Sequence, residues 1–512
     1  MVNKHIAILF IVFSLMFASA MAEESPQVRV EGSNVARYDN GDETDSRRPS
    51  SEYPDNTVSR RYFENRLRLD LYRGNFRVGG RFLYFRPSNE DQLRDGLQEE
   101  NRIDKRYLEA TVYPFKLRAG HFSDLWGHGL ALSAFENRDL YFDSELDGFR
   151  AELESEPLFV TALRGTSQEG RLVKKADVSG ARVNLRFAGQ GMGFNHVTVD
   201  SGAYLETNVS SIDWRFSRGI VTVFGERAWS KVVLHRASSI GHATYFGSVL
   251  SNWGWSLLLE YKDYDYHSAT PFQNPAVVYR ETGPRLLQGR EPHVMNIPNE
   301  VGYQAELSGQ LTSTTFTTLH YNLSSRHPRR DVNLFSFWQD IIPLPVLEEK
   351  HAPYWELFAS VEQNLPQDRT LFLELGANEE AATGWQERMW AWLKFSTPFR
   401  TSQALEFEAE ALRVTERNRN DRKLTDYLVG LSWDDGRGFS LAFHQELTDD
   451  KELEKREGKS WPSVETAISI GRGKHRLIAF YGRERGGLRC SNGVCRQVQA
   501  FTGLRFTLES TL

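Results

Sequence analysis

Cysteine is nearly absent: the chain has 2 in 512 residues, Cys490 and Cys495. That excludes a dense disulfide framework. Long apolar runs are missing as well. Apart from a short one at the start, no stretch approaches the roughly 20 continuous apolar residues a membrane helix needs. The mean hydropathy, −0.50, is that of a polar protein. A large excess of one charge is also lacking. A formal net charge of −6 argues against nucleic acid as a partner.

What is present begins with the compartment. Met1 to His5 carries one Lys, Ile6 to Phe17 is apolar, and Ala20-Met21-Ala22 offers small residues at a cleavage spacing. This predicts a signal peptide over residues 1–22 and one mature domain over 23–512. No Cys follows the cleavage site, so a lipid anchor is not expected. In an oxidising compartment the two cysteines, which flank a tight-turn Asn-Gly pair, are expected to form a disulfide that pins one loop tip. Their spacing is not the Cys-x-x-Cys of redox centres.

Aromatic residues are frequent, at 12%. An exported chain with few disulfides and no apolar helix is either a soluble all-β protein or an outer-membrane barrel. Alternation recurs along it. Leu67, Leu69 and Leu71 oppose Arg66, Arg68 and Asp70; Leu405, Phe407 and Ala409 oppose Glu406, Glu408 and Glu410. Such strands have one apolar and one charged face. A soluble sandwich alternates too, so the punctuation decides. Very short turns (Gly74-Asn75, Pro114, Gly189-Gln190, Arg218-Gly219, Pro366-Gln367, Pro398-Phe399, Asp434-Asp435-Gly436, Arg472-Gly473) mostly alternate with longer connections. The longer ones are near 87–102, 123–145, 264–298, 323–350 and 448–460. This is the layout of a single all-β, antiparallel transmembrane β-barrel, predicted here with roughly 22–24 strands. The first strand falls near Gln27–Tyr38 and the last near 496–509. The C-terminus is Leu512, so Phe506 is expected to take the place of a closing aromatic. Aromatic pairs such as Tyr84/Phe85, Tyr113/Phe115, Trp253/Trp255 and Trp390/Trp392 are expected in interfacial girdles.

A ring this wide cannot be filled by its own wall side chains. Little chain precedes the first strand, so any constriction must come from extracellular loops folded inward, the candidates being 123–145, 264–298 and 323–350. The lumen-facing set is expected to include Arg66, Arg68, Arg150, Arg182, Arg186, Glu406, Glu408 and Glu410. Arginines dominate the early strands and three glutamates share one late strand, a field able to orient dipolar solutes. The alternative is a solvated wall of cross-strand pairs. The three glutamates repel one another unless cations lie opposite.

Residues 120–143, "GHFSDLWGHGLALSAFENRDLYFD", carry the densest polar chemistry. His121 and His128 lie on opposite faces of a strand and would share an ion only if Leu125 to Gly129 turned back. Asp139, Asp143, Glu145 and Asp147 match no calcium-loop spacing. Ser123 and Ser133 lack a nucleophile-elbow context. No metal, cofactor or catalytic residue is therefore assigned. The constriction-loop set is His121, Gly127, His128, Gly129, Glu136, Arg138, Asp139, Asp143 and His293. Gly127 and Gly129 permit a sharp bend. The proline-rich stretch after it, with Pro271, Pro275, Pro284, Pro292 and Pro298, is stiff and long enough to be functional. Residues 123–145 and 284–300 are expected to meet.

The runs "RYLEATVYPFKLRAGHF", "WGHGLALSAFENRDLYFDSELDGFR" and "EPHVMNIPNEVGYQ" resemble a family of exported outer-membrane β-barrels of unknown function, common in Bacteroidetes-type bacteria. Its members pair "AGHFY…FGxGLxLRxxEDRxLGxDNxLDG" with a later "NPHVxxxNxEVGYQ". The resemblance covers residues 27–310; the rest follows only the general pattern. Tyr141 and Ser144 depart from the family's Gly and Asn. The resemblance implies a barrel in the outer membrane and no activity.

Three functions remain open. A porin-like channel for a small hydrophilic solute or oligomer predicts steady conductance. A structural or partner-binding component of a surface assembly or secretion system predicts a sealed lumen and a fixed, as yet unknown, protein partner. An outer-membrane enzyme requires His121 or His128 beside Ser or carboxylates. The expectation is a channel with outer-membrane lipid around it, no nucleic acid and no enzymatic role.

Overall fold

A computed structural model describes residues 27–44, 57–88, 97–170, 173–202, 205–234, 237–266, 269–280, 286–290, 292–327, 343–382, 384–400, 402–491 and 494–512. The expected signal peptide lies outside the described residues, as does most of the 323–350 connection.

Twenty-four strands form one antiparallel sheet that closes on itself. In chain order they are β1 (Arg29–Thr44), β2 (Thr57–Arg73), β3 (Phe76–Arg86), β4 (Glu100–Val112), β5 (Phe115–Phe122), β6 (Leu146–Ser155), β7 (Leu158–Ser167), β8 (Asp177–Phe187), β9 (Gln190–Asp200), β10 (Leu205–Arg218), β11 (Val221–Leu234), β12 (Ala237–Asn252), β13 (Trp255–Asp265), β14 (Asn299–Thr312), β15 (Thr315–Ser325), β16 (Tyr354–Leu365), β17 (Arg369–Glu380), β18 (Gln386–Arg400), β19 (Gln403–Glu416), β20 (Arg422–Asp434), β21 (Phe439–Thr448), β22 (Ser460–Ile470), β23 (His475–Glu484) and β24 (Ala500–Thr511). Each pairs with the next. β1 pairs with β2 from Arg29↔Tyr72 to Thr44↔Thr57 and with β24 from Ser33↔Thr511 to Thr44↔Ala500. Closure leaves no strand edge unpaired, which is how a membrane-spanning sheet satisfies its backbone.

Tight turns join β2–β3, β4–β5 and each later alternate pair at one end of the ring, where β1 begins and β24 also ends; the longer loops occupy the other end. Gly74 takes φ 55° in the first turn, a region open to glycine without strain. The turn expected at Pro398-Phe399 falls instead inside β18. The register shifts between Pro398 and Arg400, and the chain reverses just after it. A bulge tolerates proline because the ladder hydrogen bond is already interrupted there.

The two faces differ as the alternation requires. Leu71, Phe149, Phe187, Phe407 and Leu431 are 46%, 59%, 59%, 38% and 52% exposed and belong to a belt around the outside. Phe506 is in the same belt. So much exposed hydrocarbon on one face is the pattern of the outer wall of an outer-membrane-type barrel. Among the described residues no helix is long and apolar enough to cross a membrane.

The expected girdle splits. Tyr113 and Trp253 are exposed at the tight-turn end, but Phe85, Trp390 and Trp392 are buried on the inner face. Parity explains it: Trp390 and Trp392 alternate with the outward Met389, and their indole N–H groups donate to Glu374 (2.9 Å) and Glu408 (2.7 Å). An indole N–H needs such an acceptor once buried.

Candidate functional site

The interior holds a plug made from the chain's own loops. Its first limb is residues 123–145. A short hairpin, Asp124–Trp126 with Leu132–Ala134, turns at Gly127–Leu130. Gly127 and Gly129 have φ 58° and 82°, and a Cβ on either would lie 2.6 Å from Glu226 Oε2 or 2.4 Å from the Asn274 carbonyl. Only glycine therefore fits this tip. Glu226, fully buried midway along β11, pins it: one carboxylate oxygen accepts from the His128 N–H (2.6 Å) and the Leu130 N–H (3.3 Å), the other from Ser211 Oγ (2.6 Å). Trp126, Leu130, Leu132 and Leu146 pack with wall residues Val178, Val197, Val209 and Ala243 in one buried apolar cluster.

The base of this limb is fixed by charge. Arg81 bridges Asp104 (3.0 Å) and Glu136 (2.7 Å), and Arg138 donates to Glu64 (2.6 Å). Lys105 pairs with Asp143 and with Glu145 (3.0 Å). Asp104 and Lys105 are adjacent, yet both are buried and face loop or wall partners inside. A register shift between Arg81 and Phe82 makes that possible. Burial alone would raise the Glu136 carboxyl, but Arg81, Lys105 and Arg138 hold it below the usual range.

The second limb is made of the described residues within 266–298. Three successive carbonyls are tied to the wall: Ala276 by Tyr264 Oη (2.7 Å), Val277 by Lys262 Nζ (2.6 Å) and Val278 by Asn322 Nδ2 (2.9 Å). It then reaches the later strands. Glu410 accepts from the Leu287 and Gln288 N–H groups at 3.1 and 3.4 Å, and Arg290 donates to Glu446 at 3.0 Å. His293 is buried, stacked on Tyr354 with ring centroids 4.0 Å apart, 2.9 Å from Glu380 and 3.7 Å from Glu300. Burial opposes its charge, but the two glutamates prevail and push the imidazole up to about 9.

The limbs meet each other. The Ser133 N–H donates to the Phe272 carbonyl (2.7 Å), the Asn274 N–H to the Gly129 carbonyl (3.1 Å) and Tyr266 Oη to the Leu130 carbonyl (3.0 Å). Direct hydrogen bonding thus runs from 123–145 to 266–274, while Met295 joins the shared apolar cluster from the 284–300 stretch. A third element touches both. Gly487–Ser491 and Val494–Val498 form a hairpin closed by the Cys490–Cys495 disulfide. Arg496 lies 3.6 Å from the Tyr141 ring centroid and donates to the Asp139 carbonyl, while Arg290 donates to the Arg485 carbonyl (2.7 Å). Tyr141 has φ 53°, a left-handed position that a glycine would hold without strain.

The eight wall residues expected to line the lumen all sit on the face turned from the apolar belt. Arg66 is 3.9 Å from Glu64, Arg68 3.1 Å from Asp70, Arg150 2.7 Å from Asp124, and Arg182 3.0 Å from Asp213. Arg186 lies over Phe159. The three glutamates avoid mutual repulsion by taking separate donors: Lys394 for Glu406 (2.9 Å), Trp392 for Glu408, and the second limb for Glu410. His121 and His128 do not converge. His121 is on β5 beside Arg106 and Gln168, and His128 packs on Tyr245 and Phe224. Ser123 Oγ donates to Glu145, not to a histidine. Among the described residues no three His, Cys, Asp or Glu side chains are grouped to hold a metal. Glu226, Arg81, Lys105, Arg290 and Arg496 escaped sequence reasoning. The one available hint was Glu226, an isolated inward carboxylate between Phe224 and Ala228.

A family model matches residues 1–206 and 285–512. The chain belongs to DUF6029, a family of unknown function. No curated protein matches this DUF6029 chain. Among solved structures, a chain of the E. coli P pilus tip assembly intermediate PapC-PapD-PapK-PapG is similar over 96% of this chain and 61% of that one, at 10% identity and TM-score 0.52. The P pilus usher (PapC) translocation pore matches over 95% of this chain and 99% of that one, at 10% identity and TM-score 0.46. The outer membrane protein OprD from Pseudomonas aeruginosa matches over 70% and 90%, at 10% identity and TM-score 0.38. At such identity the likeness to the first speaks to fold alone, a closed outer-membrane-type barrel.

Proposed function

We propose that this DUF6029 chain is an outer-membrane channel for a small hydrophilic solute, gated by its own loops. Residues 1–22 would direct export, and the apolar belt would sit in the outer membrane of a Gram-negative bacterium. The observation that carries the reading is how the plug is held. The second limb's pins at Glu410, Glu446 and His293 are hydrogen bonds and ion pairs to a polar wall, and water in the lumen can replace them; the first limb adds the Glu226 pin to its apolar contact with the wall. A plug fixed only by a continuous apolar core would have no comparable route out. A catalytic role is not favoured: the His121 ring is bonded to Gln168, the His128 ring packs on Phe224 and Tyr245, and Ser123 Oγ donates to Glu145, so among the described residues these form no serine–histidine pair.

The second reading, a sealed partner-binding component of a surface assembly, is supported by the interlocking of both limbs with the disulfide hairpin. Planar-bilayer recording of the purified chain separates them. The channel reading predicts a mostly closed pore with brief openings, and large steady current once residues 126–132 are replaced by a short flexible linker. A folded deletion variant that never conducts would support the sealed barrel.

A further inference from the structure

A cleft of about 830 Å³ lies between the two limbs and the inner face of β13 and β14. That volume is in the range of small-molecule sites. Its chemistry is one-sided. Glu260, Gln304, Asn274 and Asp124 line it, and among the described residues no Lys or Arg does. Gln304 is 8% exposed, yet among the described residues its Oε1 has no hydrogen-bond partner, and neither has Asn274 Oδ1. Asp124 is satisfied by Arg150 behind the cleft. Glu260 accepts only from Tyr245 Oη and Gln304 Nε2, both neutral, and has no cation beside it among the described residues. His128, which also lines the cleft, is held below its ordinary value by burial, reinforced by Arg215 and Arg182 against Asp213.

Buried acceptors without donors cost free energy unless something supplies N–H or O–H groups. A carboxylate without a cation further favours a positive ligand. Phe135 and Tyr279 add apolar surface for a carbon skeleton. We propose that this cleft is a binding subsite for a small solute bearing an ammonium group and several hydroxyls, with Glu260 taking the ammonium and Gln304 and Asn274 the hydroxyls. The assignment rests on the channel reading above and names its solute class.

Isothermal titration of the purified full chain in detergent, with glucosamine, glucose and glucuronate, tests it because the three share a skeleton and differ in charge. Glucosamine should bind at least about tenfold more tightly than glucose, the scale of a charge-assisted hydrogen bond, and glucuronate most weakly. Glu260→Gln should bring glucosamine to the level of glucose and change glucose binding less than about threefold. If that variant fails to assemble, Asn274→Ala, in a loop outside the strand ladder, should weaken glucosamine and glucose alike. Equal or tighter glucuronate binding overturns the proposal. So does a preference untouched by Glu260→Gln, an Asn274→Ala variant that binds normally, or no binding of any of the three at 100 mM. Parallel bilayer recording keeps the two readings apart. Selective glucosamine binding by a barrel that never conducts sinks the channel and leaves the site, whereas conduction without amine preference sinks the site alone.

Discussion

Removing the carboxylate at position 226 should unlatch the first limb. Glu226 is fully buried and takes two plug N–H groups, from His128 at 2.6 Å and Leu130 at 3.3 Å. A buried N–H left without its acceptor costs up to about 3 kcal/mol; at about 1.5–3 kcal/mol each, the pair totals about 3–6 kcal/mol when water cannot substitute. Once the tip moves, lumen water replaces much of that. Half of the lower figure, about 1.5 kcal/mol, is a conservative floor, and it multiplies the open-to-closed ratio roughly tenfold. Glu226→Ala, refolded and checked for retained heat-modifiable migration, should therefore show an open-time fraction in planar bilayers at least tenfold above wild type. Glu410→Gln should act on the other limb, and the double variant should depart from the product of the two effects, because the limbs are hydrogen-bonded to each other. Glu408→Gln is the control, since Glu408 accepts from Trp392 and not from the plug. A folded Glu226→Ala protein with an open fraction within about twofold of wild type would refute the pin.

Three further outcomes follow from the same geometry. His293 has its folded value raised from 6.5 to about 9, so its anchoring is fully present below pH 6.5 and lost as pH rises through about 9. That displacement is worth about 3 kcal/mol, and proteolysis of the plug in the intact protein should climb between pH 7 and 10, with no such step in His293→Phe. Gly129→Val places a side chain against the Asn274 carbonyl at a positive φ; the tip should fail to seat, with higher conductance and unchanged barrel content by circular dichroism. Phe407→Arg puts a charge in the lipid belt and should cost about 2–4 kcal/mol if near the midplane, seen as a lower urea midpoint in lipid vesicles. An unchanged midpoint would place Phe407 away from hydrocarbon.

Period-two alternation was sufficient to read the ring from the residues. Leu67, Leu69 and Leu71 against Arg66, Arg68 and Asp70 identify two solvents without any knowledge of partners, and turns such as Gly74-Asn75 mark the ends. The same rule assigns Glu406, Glu408 and Glu410 to one face. It cannot say what each meets, because those partners come from neighbouring strands and from a loop more than a hundred residues earlier in the chain. Trp390 and Trp392 were expected in a girdle because aromatic character is blind to parity; their inward direction depends on the register that sets Trp390 opposite Leu412 and Trp392 opposite Glu410. Gly127 and Gly129 signalled a bend, but the depth of the tip is set by Glu226 on a strand far along the chain. The expected meeting of 123–145 with 284–300 is represented by Met295 in the shared apolar cluster, while the hydrogen bonds between the loops fall earlier, at 266–274, because proline content marks stiffness and not the residues whose backbone groups are free to bond.

The most direct test of the central claim is a fluorescence-quenching scan along β19. Single cysteines at positions 405 to 409, each labelled in a reconstituted protein whose native cysteines remain in their disulfide, would be exposed to brominated lipid or to aqueous iodide. Positions 405, 407 and 409 should be quenched by the lipid, and 406 and 408 by iodide. Iodide quenching at all five positions, or quenching with no period of two, would contradict a ring with hydrocarbon outside and water within.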